Sequence, residues 1–460
     1  MENFWDYSVW GTLNVIAALL AALLGANLLK RSIKPLQASL IPTSVLGGIL
    51  LLLIAWAYRM ITGNLLFDAP LFGGDGMQTL EMLTYHCLAL GFIASTLKTS
   101  EGKITKERTR EIVDTGITTV STYLLQAVVG FGITLIVAKL IDGFFAAAGV
   151  LLPFGYGQGT GQALNYGNIY ETEYGFEGGK SFGLTIAALG FLSASIGGVI
   201  HLNLLKKKGR FTSSNWENRR YNGPVETDNE IPMQESIDKM TVQIALIVVS
   251  YMITFALMTA LGNLLPGMRS LIFGFNFLIG VLSATLVKTF MKLTKKSKMQ
   301  KRDYTNNFLL TRASNFFFDI MVVSGIAAIR LSVLENYWGI ILILGVVGMV
   351  ITYWYNRLVA RTLFKDYPEE QFLMMYGMLT GTASTGTILL RELDNDFKTP
   401  AADNMVYQNF PAIVLGFPIM FLAKLAPQKP LLTYGLLSLF FVILVVALFR
   451  SKLFGKKKPQ

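Results

Sequence analysis

Cysteine and histidine are almost missing from this chain. Cys87, His86 and His201 are the full complement in 460 residues. One thiol excludes an internal disulfide, and so few soft or imidazole ligands exclude a Cys/His metal cluster. Charge is scarce as well: 15% of residues are charged while 52% are hydrophobic. A soluble multidomain reading fails on that balance, because uncharged apolar runs of about 20 residues recur along the chain, as at 431–449. No GxxxxGK[ST] motif is present, which disfavours ATP-driven chemistry within this chain. The first apolar run, 9–29, has neither a basic n-region nor a clear cleavage site, and reads as a retained span.

What charge there is carries information. The formal net charge of +11 would suit a nucleic-acid partner if it were clustered on one surface. Instead the basic residues gather in short loops between apolar runs, where the positive-inside rule puts them, so the partner is a lipid bilayer and not nucleic acid. Acidic Glu2 and Asp6 precede the first span; Lys30, Arg31 and Lys34 follow it. That places the N-terminus outside. Further spans fall at 40–60, 78–97, 112–140, 182–205, 242–264, 271–291, 308–329, 338–359, 401–425 and 431–449, about eleven crossings in all. Residues 209–236 are polar and read as a cytoplasmic linker between a first membrane repeat, 1–208, and a second, 237–425. An extra span and basic tail, 426–460, end inside.

Two stretches break the pattern. Residues 153–168 (PFGYGQGTGQALNYGN) place Gly155, Gly157, Gly159 and Gly161 on alternate positions; residues 377–387 (GMLTGTASTGT) form a second glycine-rich interruption. Each glycine costs about 1 kcal/mol against Ala in a helix. Backbone that leaves a helix in hydrocarbon must also find partners. Both stretches are therefore expected to be non-helical at membrane depth, lining a cavity or touching a ligand. If they dip in and return, as hairpins near 144–170 and 370–394, all basic loops fall on one face. Each half then has about five crossings, an odd number, which opposes their orientations. The expected fold class is an all-α polytopic membrane protein with two inverted-topology repeats, each carrying a re-entrant hairpin, plus an extra C-terminal span.

Several motifs stand out: Ile41-Pro42 followed by Val45-Leu46-Gly47-Gly48, then Gly159-Thr160-Gly161, Tyr174-Gly175-Phe176 and Gly197-Gly198, with looser ones at 381–387 and 411–418. In these the chain resembles the bacterial sodium/glutamate symporters, a family related to the citrate-type sodium symporters. The resemblance implies inverted repeats with opposed hairpins, sodium as the coupling ion, no other cofactor, a homodimer, a bacterial plasma membrane, and a transporter rather than an enzyme. This chain departs at Gln158, where the family usually has His, and at Gln162, usually a small residue. Those departures bear on the substrate rather than the mechanism.

The residues suit an anionic solute and a hard cation. Helix N-termini after Gly161 and Gly386 offer N–H groups and a positive dipole end to carboxylates. Unwound carbonyls and hydroxyls supply oxygens for sodium. The expected substrate-binding residues are Gly157, Gln158, Gly159, Thr160, Gly161, Gly381, Thr382, Ser384, Thr385, Gly386 and Arg391. The expected sodium ligands are Asn315, Asp319, Thr160 and Thr380. Each has a plainer reading: the hydroxyls cap or pack helices, Asp319 forms a buried structural pair, and Arg391 pairs with Glu392 or linker acids. Glu81 and His86 either relay protons or pack, and His201 sits at the interface. The expected function is sodium-coupled symport of glutamate or a similar acidic amino acid by alternating access, of elevator type. A di- or hydroxycarboxylate is the alternative substrate, and a passive channel the alternative class.

Overall fold

The computed structural model describes residues 3–98, 106–208, 237–296, 304–394 and 398–450. The expected linker, 209–236, lies outside the described residues, as do parts of the basic loops and most of the tail. Among the described residues the chain is all helix, with no strand. Among those residues ten helices are long and apolar enough to cross a membrane, and a bent pair would make an eleventh.

In chain order the main helices are α1 (Tyr7–Ser32), α2 (Thr43–Thr62), α3 (Gly76–Leu97), α4 (Lys106–Leu140), α5 (Leu151–Tyr156), α6 (Thr160–Tyr174) and α7 (Gly179–Lys207). Then come α8 (Lys239–Leu264), α9 (Asn276–Lys296), α10 (Asn307–Ala327), α11 (Trp338–Leu363), α12 (Pro368–Thr380) and α13 (Ala383–Arg391). The last three are α14 (Ala401–Tyr407), α15 (Asn409–Leu425) and α16 (Pro430–Leu448). The expected span 401–425 is the bent pair: α14 and α15 meet at 50°. Buried Gln408 sits at the bend and accepts a hydrogen bond from Thr119 at 2.9 Å. The span expected at 271–291 starts later, because the chain turns at Phe275 before α9 begins.

The chain divides into two compact units. The second comprises residues 85–103 and 202–321. Its core is Ile93, Ala94, Leu97, Ile247, Ala284, Leu310 and Ala313. Small residues let its helices close up: Phe318 covers Gly91, whose carbonyl accepts from the Ser314 hydroxyl at 2.9 Å. Asp238 caps α8 by accepting from the backbone N–H groups of Met240 and Thr241, as an N-cap carboxylate should. His86 pairs with Tyr251 at 2.6 Å, which is the packed reading of that residue.

The first unit comprises residues 1–84, 104–201 and 322–460. It contains both glycine-rich stretches. They are far more helical than their glycine content suggests. Only residues 157–159 leave the helix in the first, between α5 and α6, and only 381–382 in the second, between α12 and α13. The other glycines permit close packing instead of unwinding. A Cβ at Gly155 would lie 2.8 Å from the Ala187 backbone nitrogen, and one at Gly377 would lie 2.8 Å from the Gly386 Cα. Contacts across each break fold the chain back on itself: Phe154 stacks on Tyr166 with ring centroids 3.9 Å apart.

Candidate functional site

α7 is the element on which both breaks converge. Its glycines Gly183, Gly190 and Gly197 are spaced by seven, so they line one face of the helix. Gly183 faces Ala163 of α6, and Gly197 lies beneath the ring of Tyr376 in α12. Gly190, between them, meets both breaks at once. A Cβ there would sit 2.5 Å from the Thr380 carbonyl oxygen and 3.3 Å from the Tyr156 Cα. Ser193, one turn on, ties the same two segments by hydrogen bonds. Its hydroxyl is 2.9 Å from the Tyr156 hydroxyl, and its carbonyl accepts from the Tyr376 hydroxyl at 2.8 Å. Tyr156 also donates to the Gly345 carbonyl of α11 at 2.6 Å.

At the first break, Gly159 is the N-cap of α6 with φ 79° and ψ −171°, backbone that an L side chain rarely adopts. Having no side chain, it cannot cap the first N–H groups of α6 itself. Tyr123 donates to the Gly157 carbonyl at 3.0 Å. Thr160 is fully buried, and its side chain fills the space over Gly325 at the end of α10. Gln158 is the one residue of this break that is partly exposed.

At the second break, Thr382 is the N-cap of α13 and its hydroxyl accepts from the Thr385 N–H at 3.3 Å. Here capping by a hydroxyl, the plainer reading, is what Thr382 does. Thr380 donates to the Tyr376 carbonyl at 2.6 Å, as a buried helical Thr commonly does. Gly381 lies against the ring of Phe191 of α7, and Ser384 is partly exposed. Gly386 sets the spacing of α12 and α13 through its contact with Gly377. The last carbonyls of α12 are helix-end acceptors without helical donors. Gln126 of α4 meets this need: its Nε2 donates to the Leu379 carbonyl at 3.0 Å and to the Thr352 hydroxyl at 2.9 Å. Its Oε1, and the Oδ1 of Asn356 beside it on Thr352, are buried and lack a hydrogen-bond partner among the described residues. Two neutral oxygens are thus left near the break.

The structure brings Gly157, Gln158, Gly159, Thr160, Gly161, Thr380, Gly381, Thr382, Ser384, Thr385 and Gly386 into the first unit, around α7. Arg391 is in that unit too, exposed at the end of α13. Asn315 and Asp319 belong to the second unit, where both are exposed on α10. Beyond α13, burial raises the Asp394 carboxyl. Its hydrogen bonds from the Thr399 hydroxyl and from the backbone of Thr399 and Lys398 outweigh this, with the Lys398 charge, and hold it below the ordinary carboxylate range. Glu81 is tied to Lys180 at 2.8 Å. His201 is buried, between the Tyr353 hydroxyl at 2.9 Å and the Glu369 carboxylate at 2.7 Å. It ties α7 to the first turn of α12. Gly190, Ser193 and Gln126 went unmarked in the sequence; the seven-residue glycine spacing of α7 was the available signal.

Compared with known proteins, the chain matches the family model described as sodium/glutamate symporter over residues 8–379. A search of curated proteins found no match. The matched span includes the whole first break and ends one residue before Thr380.

Proposed function

Because the chain belongs to the sodium/glutamate symporter family, a transporter family rather than an enzyme family, we propose that it is a secondary active transporter carrying glutamate or a similar acidic amino acid with sodium. The observation that carries the reading is the meeting of two helix breaks across Gly190. Interrupted helices in a membrane protein free backbone groups at depth, with N-terminal dipole ends for carboxylates and carbonyls for sodium. The α6 and α13 N-termini supply the first. The second comes from the break carbonyls, Thr160, Thr380, and the unpartnered oxygens of Gln126 and Asn356. Gln158, Thr382, Ser384 and Arg391 are polar side chains here with surface to offer a solute.

The two hairpins are re-entrant and opposed in this proposal, the repeats are inverted about the linker, and the protein is a homodimer of the bacterial plasma membrane. Its N-terminus is outside and its C-terminus cytoplasmic. Both breaks lie in one compact unit, which suits an elevator in which that unit carries the site.

Sodium offsets the charge of the anion and fills oxygens that the anion would otherwise face, so each ligand favours the other. Thermodynamic linkage makes that coupling reciprocal, and couplings of this kind are typically about 5–150-fold. Glutamate binding to the purified protein, measured in sodium and then in potassium, is expected to weaken by at least the lower end of that range. Equal affinity in the two salts would end the sodium-coupling claim. Sodium-dependent binding of a dicarboxylate in preference to glutamate would keep the mechanism and replace the substrate.

A further inference from the structure

Away from the breaks, the first unit holds a cavity of about 460 Å³ between the C-terminal end of α2, the segment after α10 and the start of α11. Candidate spans end or begin at all three places, so the cavity lies at the level of a membrane–water interface. Its character changes along α2. Leu52, Trp56 and Arg59 are spaced by four and three, so they share a face of the helix that runs from apolar to charged. At 1.5 Å per residue that stripe is about 10 Å long. Arg330 lines the same cavity, as do Glu335 and Trp338. Trp56 is 49% exposed and Trp338 38%, the exposure expected of a ring lying at headgroup depth.

The two guanidiniums are only lightly used. Arg59 donates to the Ser332 hydroxyl. Arg330 approaches Glu81 at 3.7 Å, but Glu81 is already held by Lys180 at 2.8 Å. The Arg330 Nε is buried and has no hydrogen-bond partner among the described residues. An arginine has five N–H donors arranged for a bidentate acceptor. Glu335 is the carboxylate among the lining residues and is exposed, and Glu81, already shared with Lys180, stands behind Arg330.

We propose that this cavity is a binding site for an anionic phospholipid. Its phosphodiester lies between Arg59 and Arg330, and an acyl chain runs along α2 past Trp56 and Leu52. A free anion would use the arginines and leave the apolar stripe uncovered; a neutral lipid would use the stripe and leave the remaining guanidinium donors unused. Only a ligand with both parts matches both ends.

The test is thermal unfolding of the full-length protein in mild detergent with added phosphatidylglycerol, phosphatidylcholine, inorganic phosphate or glutamate, with native mass spectrometry counting retained lipid. Phosphatidylglycerol is expected to raise Tm by several degrees more than phosphatidylcholine, and to be retained. That excess is expected to vanish in the R59Q/R330Q double variant. It should vanish also in Ala55→Trp, which fills the groove while keeping both charges, and which carries the test if the double variant does not fold. An equal shift from phosphatidylcholine, a shift reproduced by inorganic phosphate alone, displacement of the lipid by glutamate, or an excess that survives Ala55→Trp would each overturn the proposal.

Discussion

Gly190 shows how much one missing methyl group decides at the scale of a residue. Its Cβ would collide with the Thr380 carbonyl oxygen at 2.5 Å and crowd the Tyr156 Cα at 3.3 Å, and neither is the free end of a flexible side chain. Gly190→Ala must therefore push the two breaks apart, at a cost of the order of 1–3 kcal/mol, as overpacking elsewhere costs. The expected outcome is at least a tenfold loss of sodium-driven uptake with a lowered Tm. Gly25→Ala is the control, since a Cβ there meets nothing within 4 Å and alanine is the better helix former. Uptake should be unchanged in that variant. Wild-type uptake in Gly190→Ala would show that the breaks need not meet there for transport. Such a residue is hard to find by reading along the chain. A lone glycine in an apolar helix has many bland explanations, and only its neighbours at Gly183 and Gly197 mark it out. The residues of the breaks were more legible, because glycines alternating with hydroxyls and amides have few uses inside hydrocarbon.

At the scale of the element, the breaks were legible in place but not in length. The glycine count of residues 153–168 argues for a long unwound stretch, yet Thr160–Tyr174 is one uninterrupted helix. Propensity lost to packing: Gly167 lies against the Gly179–Lys180 backbone and Gly155 against Ile186 and Ala187. Tertiary contact outweighs a helix penalty of about 1 kcal/mol per glycine. What the sequence could not distinguish was glycine used for approach from glycine used for conformation. Gly159 is the clear case of the latter, with its positive φ. Gly159→Val would strain the N-cap of α6 by roughly 1–3 kcal/mol, and the helix start would shift to relieve it. Uptake should be abolished while the protein still reaches the membrane in normal amount. Normal transport by Gly159→Val would reduce this break to a packing detail.

At the scale of the whole molecule, the apolar helices and the family account for a multi-pass membrane protein, and the orientation of its parts is read from where its basic residues fall. Counting each break as a full crossing puts the basic cluster after α7, Lys206 to Lys208, on the opposite side from Lys30 and Arg31. Treating the breaks as hairpins returns every basic cluster to one face, as the positive-inside rule requires. The same bookkeeping sends α6 back to the outside and α13 back to the inside. Thr172, near the end of α6, and Lys398, past the end of α13, are both exposed and suit a labelling test. The chain's single cysteine, Cys87, is buried and is replaced by Ser to give a clean background. Thr172→Cys should then react with a membrane-impermeant maleimide added to intact cells, and Lys398→Cys only once the cells are opened. Labelling of both from the same side would remove the opposed hairpins, and with them the inverted repeat, while leaving the convergence of the breaks on α7 untouched. Labelling from opposite sides would mean that the two hairpins enter the membrane from different faces, as inverted repeats that rock against each other around a shared site would place them.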